Sequence, residues 1–131
     1  MHSFARISQK FLSRGSGLTR SASSAANSAP VVGLIGLGNM GASMALNLVK
    51  TASNPADVLV FDVVAANMQK LADAGATTCP DVGTLAKKCD VIITMVPATA
   101  HVTGILKGNG SSDGNSVFEG AKKGSLLIDC R

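Results

Sequence analysis

The chain has 131 residues, 46% hydrophobic, 15% charged and only 3% aromatic, which leaves room for one domain and no tryptophan or tyrosine. The net charge of +4 belongs to the N-terminal segment: Arg6, Lys10, Arg14 and Arg20 precede residue 30, and the first acid is Asp57. Beyond that point the other eight of the 12 basic residues balance all 8 acids, and only Phe61 and Phe118 are aromatic, so the electrostatic footprint and stacking platforms of a nucleic-acid binder are missing.

Residues 1–29 hold four basic side chains, eight serines and no acid. Phe4, Ile7, Phe11 and Leu12 recur at helical spacing, with Arg6, Lys10 and Arg14 available to the opposite face. An amphipathic, Arg- and Ser-rich, acid-free N-terminus predicts a mitochondrial transit peptide and linker, with the matrix as destination. A secretory signal is disfavoured because no unbroken apolar stretch of that type is present. No run approaches the roughly 18 consecutive apolar residues of a membrane span, so no membrane partner is expected.

From residue 30 the pattern changes. Residues 31–38 form an apolar run ending in glycines and predict a buried strand. Residues 39–50 predict a helix with Met40, Met44, Ala45 and Leu48 on one face. Residues 58–62 read as a second strand, 65–74 as a helix, 76–79 as a weak third strand and 82–88 as a short helix. Residues 91–96 read as a buried strand stopped by Pro97, 99–107 as a helix and 107–116 as a glycine- and serine-rich loop. A short helix over 117–123 and a last strand over 125–130 complete the pattern. Strands alternating with helices of about ten residues predict an α/β fold, a Rossmann-type doubly wound parallel sheet of order 3-2-1-4-5.

Cys79, Cys89 and Cys130 are odd in number, without a C-x-x-C pair or histidine at ligand spacing, so no metal site and no disulfide framework is expected. Lys122 and Lys123 read as a solvated turn.

The first strand runs into Gly36-Leu37-Gly38-Asn39-Met40-Gly41, which is G-x-G-x-x-G, and Asp62 closes the next strand 21 residues after Gly41. Gly36 permits the tight turn, Gly38 lets backbone approach a pyrophosphate, and Gly41 lets helix and strand pack closely. The helix start offers free N–H groups and the positive end of its dipole. A methyltransferase binding S-adenosylmethionine could use a similar turn, but the full spacing favours a dinucleotide.

Asp62 also bears on which dinucleotide. Its carboxylate can accept from ribose hydroxyls, and Phe61-Asp62-Val63-Val64-Ala65-Ala66 supplies no cation for a 2′-phosphate. Repulsion between two such charges a few ångströms apart is roughly 4 kcal/mol at an effective dielectric near 20. The expected cofactor is NAD rather than NADP. In the predicted strand order, Val96 and Pro97 face the glycine loop across the ligand crevice, at the nicotinamide side. His101, four residues after Pro97, reads as a solvent-exposed or ribose-contacting group rather than a catalytic base. Cys130 is expected near the same crevice as a buried, inert thiol.

On Val32-Gly33-Leu34-Ile35-Gly36-Leu37-Gly38-Asn39-Met40-Gly41, Met44-Ala45-Leu46-Asn47-Leu48, Ile92-Ile93-Thr94-Met95-Val96-Pro97 and Lys123-Gly124-Ser125-Leu126-Leu127-Ile128-Asp129, the chain resembles the NAD-dependent β-hydroxyacid dehydrogenase family. The resemblance implies that residues 30–131 are an NAD-binding domain like the N-terminal domain of 6-phosphogluconate dehydrogenase. It places the pyrophosphate on Gly36 to Gly41, the adenosine ribose on Asp62 and the nicotinamide half on Val96-Pro97. It also implies a small hydroxy acid as substrate, 3-hydroxyisobutyrate passing hydride to NAD in valine breakdown, and a homo-oligomer for full-length members.

The chain departs from the family pattern at His101, where an asparagine is usual, and after Asp129, where Cys130 and Arg131 replace a Ser-Thr continuation. The family's catalytic lysine and all-helical second domain have no counterpart here, so no catalytic residue is assigned. The expectation is the first portion of a longer enzyme, inactive by itself, with an open sheet edge and apolar surface that make it aggregation-prone. A non-catalytic dinucleotide-binding module, or a relative of NADP-dependent glyoxylate or succinic semialdehyde reductases, are the alternatives.

Overall fold

A computed structural model describes residues 28–108 and 115–130. The transit-peptide expectation and most of the 107–116 loop lie outside the described residues.

Five short strands form one parallel sheet in the order β3-β2-β1-β4-β5. They are β1 (Val32–Ile35), β2 (Val58–Phe61), β3 (Thr77–Thr78), β4 (Val91–Thr94) and β5 (Leu126–Asp129). The helices between them are α1 (Asn39–Thr51), α2 (Ala65–Asp73), α3 (Val82–Lys88), α4 (Thr99–Lys107) and α5 (Val117–Gly120), with a 3₁₀ turn at Pro55–Asp57. Order and type agree with the sequence reading. β1 sits at the centre, pairing Ile35 with Phe61 on one side and with Thr94 on the other.

Alternation along the strands feeds two cores. Leu34, Val58 and Val60 point to one face, where they meet Leu37, Ala45 and Val49 of the α1 layer and Leu71 of α2. Ile35, Leu59 and Ile92 point to the other, against Val82, Leu85 and Ala86 of α3 and Val117 of α5. Both faces of the central strands are thus covered, which is why those strands read as continuous apolar runs.

Five details differ from the sequence reading. The buried stripe of α1 is Gly41, Ala45 and Val49, while Met40 is 68% exposed. Close packing of Gly41 against the Gly36 carbonyl turns that stripe toward the sheet and leaves Met40 facing outward. β4 ends at Thr94, before Met95 and Val96, and β3 has only two residues. The helix after residue 116 stops at Gly120, and Lys122 is not merely solvated: its ammonium lies 2.8 Å from Asp90 Oδ1.

Among the described residues, β5 pairs only with β4. Its Leu126 and Ile128 are 56% and 37% exposed, so the expected apolar edge is present.

Candidate functional site

The carboxyl ends of β1, β2 and β4 open into a cleft of about 590 Å³, within the range of small-molecule sites. Its floor is the turn from β1 into α1. Gly36 has φ +95°, and a side chain there would run into the Met95 carbonyl and Val96. A Cβ at Gly41 would strike the Gly36 carbonyl. Glycine is required at both positions for the loop to fold back against β4 and for α1 to start where it does.

Gly38 is different. It is the N-cap of α1, has no side-chain cap, and a Cβ built on it would meet nothing within 4 Å. With no acid in the first turn, the helix start presents open space, uncommitted backbone donors and the positive end of a 13-residue helix. Those are the requirements of a phosphate site at close backbone approach.

Asp62 follows β2 and reaches back to this loop. Its Oδ2 accepts from the Leu37 N–H at 2.6 Å and from Asn67 Nδ2 at 3.4 Å, and its Oδ1 accepts from the Val64 N–H at 2.8 Å. A carboxylate offers about four acceptor positions, so capacity for a ligand hydroxyl is left. The Gly36 N–H bonds to the Phe61 carbonyl at 3.0 Å, a second tie between loop and β2.

Opposite, Val96, Pro97 and Ile105 give an apolar wall, and Phe61 and Val63 supply apolar surface beside Asp62. Thr94, fully buried at the end of β4, donates to Asp129 Oδ1 at 2.9 Å and locks the neighbouring strand end.

Of the residues singled out from sequence, Gly36, Gly38, Asp62, Val96, Pro97 and His101 are brought together around the cleft. Leu37, Asn39, Met40 and Gly41 do not line it. Leu37 is buried in the core, Gly41 packs beneath the loop, and Asn39 and Met40 are exposed. Cys130 does not line the cleft either, and it is half-buried rather than buried. Its N–H bonds to the Thr94 carbonyl at 2.8 Å as an extension of the sheet.

Asn67 and Asn115 line the cleft and were not singled out from sequence. Asn67 sits five residues after Asp62 in the first turn of α2, a spacing that signals reach to that carboxylate. Asn115 accepts from the Gly83 N–H at 3.3 Å across 32 residues, a pairing with no local signature.

A parallel sheet of this order, with a glycine turn at the switch point between β1 and β4, an open helix N-terminus and an acid after β2, defines a Rossmann-type dinucleotide-binding domain. Residues 31–131 match the family described as the NAD binding domain of 6-phosphogluconate dehydrogenase, and the chain belongs to that family. It is 41% identical over 103 residues to the Dictyostelium discoideum protein named "Probable 3-hydroxyisobutyrate dehydrogenase, mitochondrial", covering 79% of this chain and 30% of that one. It is 38% identical over 98 residues to the human mitochondrial 3-hydroxyisobutyrate dehydrogenase, covering 75% and 27%. The solved structure of Mycobacterium tuberculosis 3-hydroxyisobutyrate dehydrogenase with L-serine superposes with a TM-score of 0.63 at 28% identity, covering 78% of this chain and 31% of that one. The chain therefore spans less than a third of the length of these relatives. It is an NAD(P)-binding domain.

Proposed function

We propose that this domain binds NAD in preference to NADP and forms the cofactor-binding part of a mitochondrial-matrix dehydrogenase oxidising 3-hydroxyisobutyrate in valine breakdown. The observation that carries the cofactor choice is Asp62. Its carboxylate is held against the glycine loop by the Leu37 N–H, and no Lys or Arg lines the described cleft. A 2′-phosphate would meet that negative charge without a compensating cation. The names of the relatives support the substrate and the compartment, as does the acid-free, Arg-rich N-terminal segment.

Gly36 and Gly38 would hold the pyrophosphate, Asp62 the adenosine ribose, and Val96 with Pro97 the nicotinamide side. Bound NAD supplies a hydride acceptor. The protein's part is to exclude water from one face with Val96, Pro97 and Ile105 and to hold the ribose end against Asp62.

Asp62 and His101 are the titratable side chains that line the described cleft. We read the 131-residue chain as binding dinucleotide without turning over a hydroxy acid, a general acid–base group being typically worth about 10²–10⁴-fold. Calorimetric titration with NAD and NADP tests the cofactor choice in the chain and in a variant carrying Asp62→Asn with Val63→Arg. NAD should bind at least about tenfold more tightly to the parent, and the variant should narrow or reverse that ratio, in line with one unit-charge repulsion at short range. Equal affinities in the parent would overturn it.

A further inference from the structure

Asn115 reaches the cleft through the crossing of α3 and α5. That crossing is tight because glycine stands on both helices: a Cβ on Gly120 would lie 2.7 Å from the Gly83 carbonyl oxygen and 3.1 Å from Ala86 Cβ. Ser116, fully buried, caps α5 by accepting from the Glu119 N–H at 3.2 Å, and Val117 beside it is buried. The backbone next to Asn115 is thus anchored in the core, and its side chain is carried onto the start of α3, where Oδ1 accepts from the Gly83 N–H at 3.3 Å. This bond settles the orientation of the amide. Oδ1 is committed to the fold, while Nδ2, a donor only, has no protein partner among the described residues, although Asn115 lines the cleft.

The surroundings indicate what that donor meets. Phe61 immediately precedes Asp62, and Ile105, in the second turn of α4, packs against the same core cluster as Phe61. Gly104 beside Ile105 brings no side chain, so flat backbone faces the cleft there, and Val63 adds apolar surface on the Asp62 side. Apolar walls next to the carboxylate that takes the adenosine ribose suit the flat base which that ribose carries. Asn67 Nδ2 is already turned to Asp62 at 3.4 Å, which leaves Asn115 Nδ2 as the uncommitted amide donor of this end. We infer that Asn115 is a specificity residue for the base: Nδ2 donates a hydrogen bond to a ring nitrogen of adenine while Oδ1 stays on Gly83. The inference rests on the dinucleotide reading of the cleft. Unprotonated N1, N3 and N7 of adenine are acceptors, the complement of a group that can only donate.

The full chain is titrated with NADH and with NADH analogues in which 1-deaza-, 3-deaza- or 7-deaza-adenine replaces the base. The chain has no tryptophan or tyrosine, so nicotinamide fluorescence can be read directly. Each analogue keeps the charge, the riboses and the nicotinamide and removes a single ring acceptor. One analogue should bind about fivefold more weakly than NADH and the others alike, the loss of one neutral hydrogen bond. Asn115→Asp keeps an acceptor for the Gly83 N–H and removes the donor. It should bind NADH about tenfold more weakly and no longer distinguish NADH from the analogues. Comparing ligands of equal charge within one variant cancels the effect of the new carboxylate. Asn115→Ala, which adds no charge, should likewise lose the distinction, with its melting curve showing that the chain is folded. The inference is overturned if the parent binds every analogue as tightly as NADH, or if either folded variant keeps the parent's discrimination. Should NADH fail to bind the parent, the dinucleotide reading falls and takes the inference with it. Binding without discrimination removes the inference alone.

Discussion

The Leu37 N–H donates to Asp62 Oδ2 at 2.6 Å across 25 residues of sequence, joining the glycine loop after β1 to the end of β2. Leu37 is only 2% exposed, so its N–H has little access to water if the carboxylate is removed. Asp62→Ala should therefore destabilise the fold by about 1–3 kcal/mol as well as weaken dinucleotide binding, because a shielded donor is left unpaired. Chemical denaturation checks this, and an unchanged midpoint would show that the carboxylate serves ligand alone.

Two glycines of the loop, Gly38 and Gly41, should separate stability from binding. Gly41→Ala forces a methyl into the Gly36 carbonyl and should prevent normal folding, since backbone on both sides must move. Gly38→Ala meets no protein atom within 4 Å, and as an N-cap change from glycine it should cost only a few tenths of a kcal/mol. The same methyl occupies space a phosphate needs, so affinity should fall by about tenfold or more, the loss of roughly one charge-assisted hydrogen bond. A Gly38→Ala variant with parent-like NAD affinity would move the pyrophosphate off this loop.

Much of this arrangement was legible in the sequence. Val32 to Ile35, Val58 to Phe61 and Val91 to Thr94 are buried on both faces, and β-branched runs between helix-length segments announce that directly. Gly36, Gly38 and Asp62 carried the site because their residue types have few other uses at that spacing. What was not legible depends on rotation and reach. The stripe of α1 passes through Gly41 rather than Met40 because of how the helix seats on Gly36, which hydrophobicity alone does not encode. Asn115 reaches Gly83 through tertiary packing of α5 on α3, and Thr94 pairs with Asp129 only because β4 and β5 align in register.

Acid should weaken the domain through two hydrogen-bonded carboxylates. Asp81 caps α3, accepting from the Thr84 N–H at 2.6 Å, and that bond holds its pKa below the usual carboxylate value. Asp90 is likewise lowered, first by the hydrogen bond from Lys122 and then by that from the Val31 N–H. A folded-state value below the unfolded one means stability is fully present above the unfolded pKa, near 3.9, and is lost as pH falls through the lower folded value. Melting temperature should be level from pH 7 to 5 and drop below about pH 4, with a smaller drop in Asp81→Ala. That variant should also lose about 1 kcal/mol at neutral pH, the usual worth of an N-cap. An identical acid profile in the variant would exclude Asp81 as a contributor.

Thiol reactivity should split one against two. Cys79 and Cys89 are buried, and burial raises both thiols, Cys89 to about 12. Cys130 is half-buried beside the open β5 edge. A disulfide reagent at pH 8 should modify Cys130 in the folded chain and reach the other two only after denaturant is added. Rapid labelling of all three would mean that the α3 core opens readily.

The claim that this cleft is the dinucleotide site is tested most directly by backbone amide NMR of the full chain titrated with NAD. Gly36, Leu37, Gly38, Val64 and Val96 should shift together with a single saturation curve, while Val32, Val58 and Val91 at the opposite ends of their strands stay in place. Absent shifts, or shifts centred on those opposite strand ends, would contradict it.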